Sequence, residues 1–300
     1  MANSADTTYG IIREATVGVI PATPALKVLD TNSFDWTAES TMLASDVMKA
    51  NRAAGDTLEQ QFYVTGSMSS DFRNDPAIDM ILEGGFGGTF ASKVLKAGST
   101  DLSHTIEAKM LGTTTLYTQL SGNLITSVGV KVDAASKAEF SSEFIGLSQA
   151  TRTAIVTGAT YVAPTQGPLI GGGSAGSITI SGITGTFYGL DLKVGHSRAA
   201  KFGLFNQNAF GISTGANRTA TLTLQLYRDD FSPETVFAAN TPVPVSFTLG
   251  TGTNSYTFSM ARCFAKRPKR ETQDNNEIVT IELTAVHDGT ALTDITCTKG

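Results

Sequence analysis

Hydrophobic and polar residues recur in strand-like runs along this chain, and the runs follow the same order in its two halves. Residues 60–68 and 218–227 are the first matching pair, and residues 138–145 and 278–285 are the last. In both halves the first strand is followed by an Asp-Phe pair and then by a proline that opens a short helix. An internal repeat of this kind decides the fold, because each copy is one structural unit.

A short helix is predicted between the strands of each copy. Asp75 can cap the first turn, and Pro76 suits the first helical position, where its missing N–H would be unpaired in any case. Apolar residues at i, i+3 and i+4 then share one face. They are Ile78, Ile81 and Leu82. We expect the glycines at 84–85 to end this helix, and Ser232-Pro233 repeats the start signal in the second copy.

The strands predict a mainly β protein built from two similar antiparallel β-sandwich, or tube, domains, each with a short flanking helix. The first domain spans residues 28–150 and the second residues 178–300. Residues 1–27 have little amphipathic period and are interpreted as an N-terminal arm. Residues 151–177, which are rich in proline and glycine, are interpreted as a connector loop. Within the second copy, residues 266–276 read as a polar loop between two strands.

Composition supports a β-rich protein and argues against nucleic-acid binding. Only 16% of the 300 residues are charged, and the formal net charge is −5. Residues 1–150 hold 10 basic and 17 acidic residues, a net −7, whereas residues 151–300 hold 12 and 10, a net +2. A nucleic-acid binder would need a basic patch or stripe. Cys263 and Cys297 are the only cysteines, and we expect them to be free thiols in a chain that shows no secretion signal.

The candidate catalytic and cofactor motifs are weak, and we predict neither an enzyme nor a cofactor site. The glycine runs at 84–88 and 171–173 lack the lysine and hydroxyl of a phosphate-binding loop. His104, His196 and His287 have no partner at metal-ligand spacing. No Gly-x-Ser-x-Gly nucleophile turn occurs, and no run of about 18 apolar residues could span a membrane.

One dense basic run stands out in the second copy. It comprises Lys266, Arg267, Lys269 and Arg270 around Pro268. Three interpretations stay open: a solvated hairpin tip, an inter-subunit contact with an acidic patch of a neighbouring chain, or a contact with DNA. The last is disfavoured because no aromatic residues are interleaved with the basic ones.

One strand of the first copy is acidic on one face. Glu139 and Glu143 alternate with Phe140 and Phe144, so the acids point to one face and the phenyl rings to the other. A half-exposed antiparallel strand explains this pattern. A lining for a channel that a polyanion must pass without binding explains it too, because such a wall avoids the phosphate contacts that drive DNA binding.

Two segments carry a resemblance to a known family. The stretch YGIIREATVGVIPATPALK (residues 9–27) and the stretch LSGNLITSVGVKV (residues 120–132) are similar to segments of the tail tube proteins, or major tail proteins, of long-tailed, non-contractile (siphovirus-type) bacteriophages. The Thr-, Ser- and Gly-rich composition and the duplication fit the same family. The resemblance runs over nearly the whole chain.

The resemblance implies a structural protein of the virion tail that self-assembles in the host cytoplasm. Rings with an inner β-barrel stack into a tube, and DNA passes through the lumen without specific binding. Six domains per ring would come from three chains in a homotrimeric, pseudo-hexameric ring; six chains are the alternative. The implied partners are the tail terminator, the tape measure and the baseplate or distal tail proteins, with no membrane contact. The rival class is a secreted or surface β-sandwich subunit, such as an adhesin, and the missing signal peptide argues against it.

Residue-level expectations follow for the lumen and for ring stacking. Glu139 and Glu143 should face the lumen, with Glu282 at the place in copy two that matches Glu143. Val279 and Leu283, like the phenylalanines of the first copy, should face the core. Residues 2–27 and 151–177 should be contact elements between stacked rings.

Overall fold

The computed structural model describes residues 6–47, 53, 55–165, 167–173, 176–273 and 275–300. Within these ranges the fold is mostly β, with nineteen strands and two helices. Strands of the first half are β1 (Thr7–Arg13), β2 (Ala25–Leu29), β3 (Ser33–Ala44), β4 (Thr57–Asp71), β5 (Phe90–Ala91), β6 (Val94–Lys96), β7 (Ser103–Met110), β8 (Leu116–Asp133), β9 (Glu139–Gly146) and β10 (Ser148–Arg152). The remaining strands are β11 (Thr160–Val162), β12 (Gly176–Ile180), β13 (Phe187–Lys201), β14 (Gly211–Tyr227), β15 (Val243–Thr251), β16 (Asn254–Ala265), β17 (Lys269–Gln273), β18 (Asn276–Ala285) and β19 (Thr296–Lys299). The helices are α1 (Pro76–Phe86) and α2 (Ser232–Ala239).

One long antiparallel sheet runs through both halves of the chain. Its order is β3–β4–β9–β8–β13–β14–β18, and the end of β16 followed by β17 lies on the far side of β18. We call this the main sheet. It has eight strand positions and does not close into a barrel within one chain.

The other strands cover one face of the main sheet. The first part of β8 leaves the main sheet and pairs with β7 and β10, and β1 and β2 continue from β7. In the second half, β12, β15, β16 and β19 pair in that order, and β6 of the first half pairs with β19. Side chains from both sets of strands and from α1 form one buried cluster, which includes Phe140, Leu224, Phe86 and Phe258.

Helix α1 begins as predicted but runs further than predicted. The Asp75 side chain accepts a hydrogen bond from the Ala77 amide at 2.8 Å, and Pro76 is the first helical residue. The helix continues through Gly84 and Gly85 and ends at the left-handed Gly87, so the expectation that residues 84–85 end it was wrong. These two glycines instead let the helix approach the main sheet: a Cβ on Gly85 would lie 2.5 Å from Val128 Cγ1.

The two halves repeat one topology. The order β3-β4-α1-β7-β8-β9 of the first half matches β13-β14-α2-β15-β16-β18 of the second, with the same antiparallel neighbours. The backbone hydrogen bond that follows β4 and β14 is also repeated: the Phe72 amide donates to the Ala138 carbonyl at 2.8 Å, and the Arg228 amide donates to the Glu277 carbonyl at 2.9 Å. The division into separate domains at 28–150 and 178–300 stays a prediction, because the main sheet crosses it.

Three segments are more ordered than the sequence suggested. The predicted arm contains β1 and β2, and Ile11 and Leu26 are buried. The predicted connector contains the short β11, which pairs with β2. The predicted polar loop contains β17. In each case strand pairing overrides the local composition: the pairings of β1 with β7 and of β11 with β2 are long-range, whereas β17 forms a hairpin with β18. Residues 1–5 of the arm and 166 and 174–175 of the connector lie outside the described residues.

Candidate functional site: the polar face of the main sheet

A continuous line of paired residues crosses the main sheet from one half to the other. Glu139 lies opposite Lys131, Lys131 opposite Asp191, Asp191 opposite Thr223, and Thr223 opposite Glu282. Directly opposed residues in a sheet point to the same face. Glu139 and Glu282 therefore share one face of one sheet, although they are far apart in sequence.

Glu143 lies on this face as well. It is four residues from Glu139 on the same strand, an even spacing that keeps the two side chains on one face, and it lies opposite Ser67. Ser67 is four residues before the end of β4, and Thr223, which lies opposite Glu282, is four residues before the end of β14. Glu143 and Glu282 thus occupy equivalent positions in the two copies.

The opposite face of these strands is buried, as the alternation predicted. Phe140 and Phe144 are in the core in the first copy, and Val279 and Leu283 are in the core in the second. The outward positions between them carry small or charged side chains. We call this outward surface the polar face.

Acidic residues outnumber lysines on the polar face. The acids are Asp35, Glu39, Asp71, Asp133, Glu139, Glu143, Asp191, Glu271 and Glu282, and the lysines are Lys131, Lys193, Lys266 and Lys269. Serine, threonine and glycine fill positions between them, including Ser67, Ser69, Gly129, Ser141, Thr221 and Thr223. The surface is therefore polar and small-featured, with an acidic excess.

Several acids on the polar face already have partners in the chain. The Ser127 hydroxyl donates to Glu143 at 2.9 Å. Lys266 forms an ion pair with Glu282, whose side chain is 37% exposed. Solvent-exposed pairs of this kind contribute about 0–1 kcal/mol each, so they shape the charge pattern more than they stabilise the fold.

The basic run lies along the edge of the main sheet. Lys269 and Arg270 belong to β17, and the turn between β17 and β18 comes later in the chain. The interpretation of this run as a hairpin tip was therefore wrong. Arg270 lies 3.8 Å from Glu234 and 3.9 Å from Glu277, while Arg267 is exposed.

Both ends of the main sheet are open. In the described part of the chain, β3 pairs only with β4, and β17 pairs only with β18. β3 is 12 residues long. An exposed strand of that length presents unpaired N–H and C=O groups that favour pairing with another chain. Sequence reasoning did not find these edges, because strand order is not encoded in any single segment.

Sequence reasoning also missed the contribution of β13. Asp191 and Lys193 alternate there with the buried Leu190, Leu192 and Val194, which is a period-2 signal visible in the sequence. β13 matters because it joins the two halves: its residues 189–195 pair with residues 127–133 of β8. The two copies meet through this joint.

The histidines and cysteines do not form a reactive centre. His104 is fully buried, and burial followed by the nearby Arg13 charge lowers its pKa to about 3. His196 Nε2 donates to the Gly85 carbonyl at 2.8 Å. Cys263 and Cys297 are buried free thiols, and burial raises the pKa of Cys263 to about 12. No cluster of three His, Cys, Asp or Glu that could hold a metal ion occurs among the residues with described positions.

Comparison with known proteins identifies a family for this chain. The model of the family described as "Phage tail tube protein" matches residues 4–286 of the chain. A search of curated proteins finds no match. Within the described residues, no helix is long and apolar enough to cross a membrane.

Proposed function

This chain belongs to the phage tail tube protein family, and on that premise we propose that three copies close into one ring of the tube, with the polar face lining the channel. Membership makes it a non-enzymatic structural component of the virion tail that assembles into a tube. Stacked rings would then form the passage through which the genome is ejected into the host.

The repeated topology with an open edge at each end carries this proposal. Within one chain, β13 of the second half joins β8 of the first half through seven residue pairs. The same kind of joint between β3 of one chain and β17 of the next would leave no open edge when the ring closes. Eight strand positions from each of three chains make 24, with six pseudo-equivalent halves. Such an obligate interface should bury more than about 2,000 Å² in total.

The acidic excess of the polar face suits a channel for DNA. A wall that carries Glu139, Glu143 and Glu282 repels phosphates and offers few of the basic contacts that release counterions and drive DNA binding. Screening limits this field to roughly 8–10 Å at physiological salt. The acids therefore act as a lining that keeps friction low, and DNA passes without specific binding.

Two exposed segments are proposed to contact the neighbouring ring. The N-terminal segment up to residue 27 presents the exposed Val17 and Val19, and the 151–177 segment presents the exposed Ile155 and Val162. Exposed apolar groups of this kind are typical of contact surfaces. The tail terminator, tape measure and distal tail or baseplate proteins would bind the ends or the interior of the tube, and assembly would take place in the host cytoplasm.

Electron microscopy of the purified 31.4 kDa protein tests the ring. We expect hollow tubes or rings whose averages show six lobes, with true threefold symmetry at higher resolution. Mass measurement of isolated rings should give three chains. Six chains per ring would refute the trimer while leaving the tube, whereas discrete monomers at all concentrations would support a β-sandwich subunit of another kind.

A further inference from the structure

We infer that β3 of one chain pairs antiparallel with β17 of the next chain, in the register that the internal β13–β8 joint already shows. The inference rests on the proposed ring. It adds the identity of the interface residues and their exact partners, which the ring alone does not fix.

β3 of the first copy occupies the position of β13 in the second. β4 and β14 both end five residues before the start of their helix, at Asp71 and Tyr227. Counting back from these ends, Trp36 opposite Gly66 in the first hairpin matches Leu192 opposite Leu222 in the second. Both hairpins also carry a bulge just beyond this point, after Glu39 and after His196.

In the same way, β16 and β17 of the second copy together occupy the position of β8 in the first. In the first copy, Ile125 lies opposite Phe144 and Val130 lies opposite Phe140, so five steps on β8 face four on β9. In the second copy, Ala265 lies opposite Leu283 and Arg270 lies opposite Val279. The same single extra residue is present, so Arg270 takes the place of Val130 and Glu271 the place of Lys131.

The internal joint then gives the register between chains. Leu192 opposite Val130 predicts Trp36 opposite Arg270 of the next chain. Asp191 opposite Lys131 predicts Asp35 opposite Glu271, and Gly195 opposite Ser127 predicts Glu39 opposite Arg267.

The chemistry of the predicted partners is mixed but mostly favourable. Trp36 is half-buried beside Phe34, and the Arg270 side chain is 58% exposed, so a cation–π contact is available to both. Glu39 and Arg267 carry opposite charges. Asp35 and Glu271 carry like charges. The cation of β17 on the same face as Glu271 is Lys269, two residues away.

This register is restricted, because the pairing of β17 with β18 already fixes which way the β17 side chains point. A slip of one residue between chains would set the core-facing Trp36 opposite a channel-facing residue of β17, so only slips of two residues keep the faces matched. Cysteine pairs can detect such a slip, since a disulfide needs Cα atoms about 4.4–6.8 Å apart.

The test uses the double variant Asp35→Cys with Glu271→Cys in assembled rings under mild oxidation. We expect bonds between chains, seen as covalent dimers and trimers on non-reducing gels. The matched control is Asp191→Cys with Lys131→Cys, the equivalent pair of the internal joint, which should bridge within one chain without changing its mass. The native thiols are buried, so the wild-type protein should give no such bonds.

Two off-register variants complete the test. Asp35→Cys with Arg270→Cys samples the opposite face, and Asp35→Cys with Lys269→Cys samples a shift of two residues; both should cross-link at most weakly. Rings in which either of them bonds better than the Glu271 pair, or in which only the internal control bonds, would overturn the register and leave the ring standing. Absence of rings from the wild-type protein would overturn the ring and the register with it.

A charge variant gives a second measurement that does not depend on thiols. Glu271→Lys copies the Asp191–Lys131 pair of the internal joint, so it should let rings survive to higher dilution. An equal or lower ring stability, measured as the protein concentration at half dissociation, would count against Asp35 as its partner.

Discussion

Replacing Glu139, Glu143 and Glu282 together with lysine should leave tubes intact but slow the passage of DNA. All three side chains lie on the polar face and outside the core, since their neighbours along the strand carry the packing. The variant loses the Ser127–Glu143 hydrogen bond and the Lys266–Glu282 pair. Loss of the exposed ion pair costs about 0–1 kcal/mol and loss of the part-buried hydrogen bond to a charged group about 1.5–3 kcal/mol, so folding and assembly should survive.

The electrostatic change is large in comparison. Each replacement alters the charge by two, so the formal net charge of a chain moves from −5 to +1, and that of a three-chain ring from −15 to +3. Lysines repeated around the wall would bind phosphates and release counterions. A contact set of about six to ten phosphates weakens by roughly 10³- to 10⁵-fold between about 50 and 200 mM salt. Slow passage should therefore recover as salt is raised.

The assay is the rate of genome ejection from particles that carry the variant, measured over a range of salt concentrations. A matched control reverses three exposed acids outside the strands and outside the proposed ring contacts, Asp46, Asp56 and Asp229, which alters the net charge equally without touching the polar face. We expect normal ejection from the control and slow, salt-sensitive ejection from the lumen variant. Equal ejection rates from both particles would refute the placement of the three glutamates in the channel.

Three further predictions concern stability, measured as the free energy of unfolding from urea titrations. Gly85→Ala should destabilise by about 1–3 kcal/mol through overpacking against Val128, and much less in a Val128→Ala background; equal costs in both backgrounds would contradict the close contact. Tyr161→Phe should cost about 1–3 kcal/mol, because it removes a hydrogen bond to the fully buried Glu107, and an unchanged stability would show that this contact is dispensable. Since burial lowers the pKa of His104 in the folded state to about 3, only the unfolded chain takes up its proton between about pH 6.5 and 3. The free energy of unfolding should therefore decrease as the pH is lowered through that window, and it should decrease less steeply in His104→Leu. Parallel pH profiles for the two proteins would argue against this assignment.

The sequence predicted what depends on local pattern. Period-2 alternation identified the buried and outward faces of β9 and β18, and the Asp75-Pro76 signal identified the start of α1. It did not predict the end of α1, because whether Gly84 and Gly85 stop a helix or let it approach a sheet depends on what packs there. Nor did it predict that β17 is an edge strand, since its charges and the Pro268 that precedes it are equally typical of a loop.

In the proposed ring, the internal joint and the open edges have different chemistry, and this difference offers a reason for carrying two copies in one chain. The internal joint is largely apolar on its core side, where Leu192 lies opposite Val130 and Val194 opposite Val128. The open edge at β17 has Pro268 and Arg270 in the matching places. Charged residues and proline are the usual protection of an edge strand against indiscriminate pairing. A joint that forms within one chain during folding needs no such protection, whereas an edge that waits for another subunit does. Weak, charged edges that meet only in the proper register would allow the protein to persist unassembled and then close into a ring, where three such joints act together.

The double variant Pro268→Val with Arg270→Val makes the open edge resemble the internal joint. It should strengthen pairing between chains but produce irregular aggregates alongside rings, because the edge has lost its protection. An increase in rings without aggregates, judged by electron microscopy, would show that edge protection plays no part.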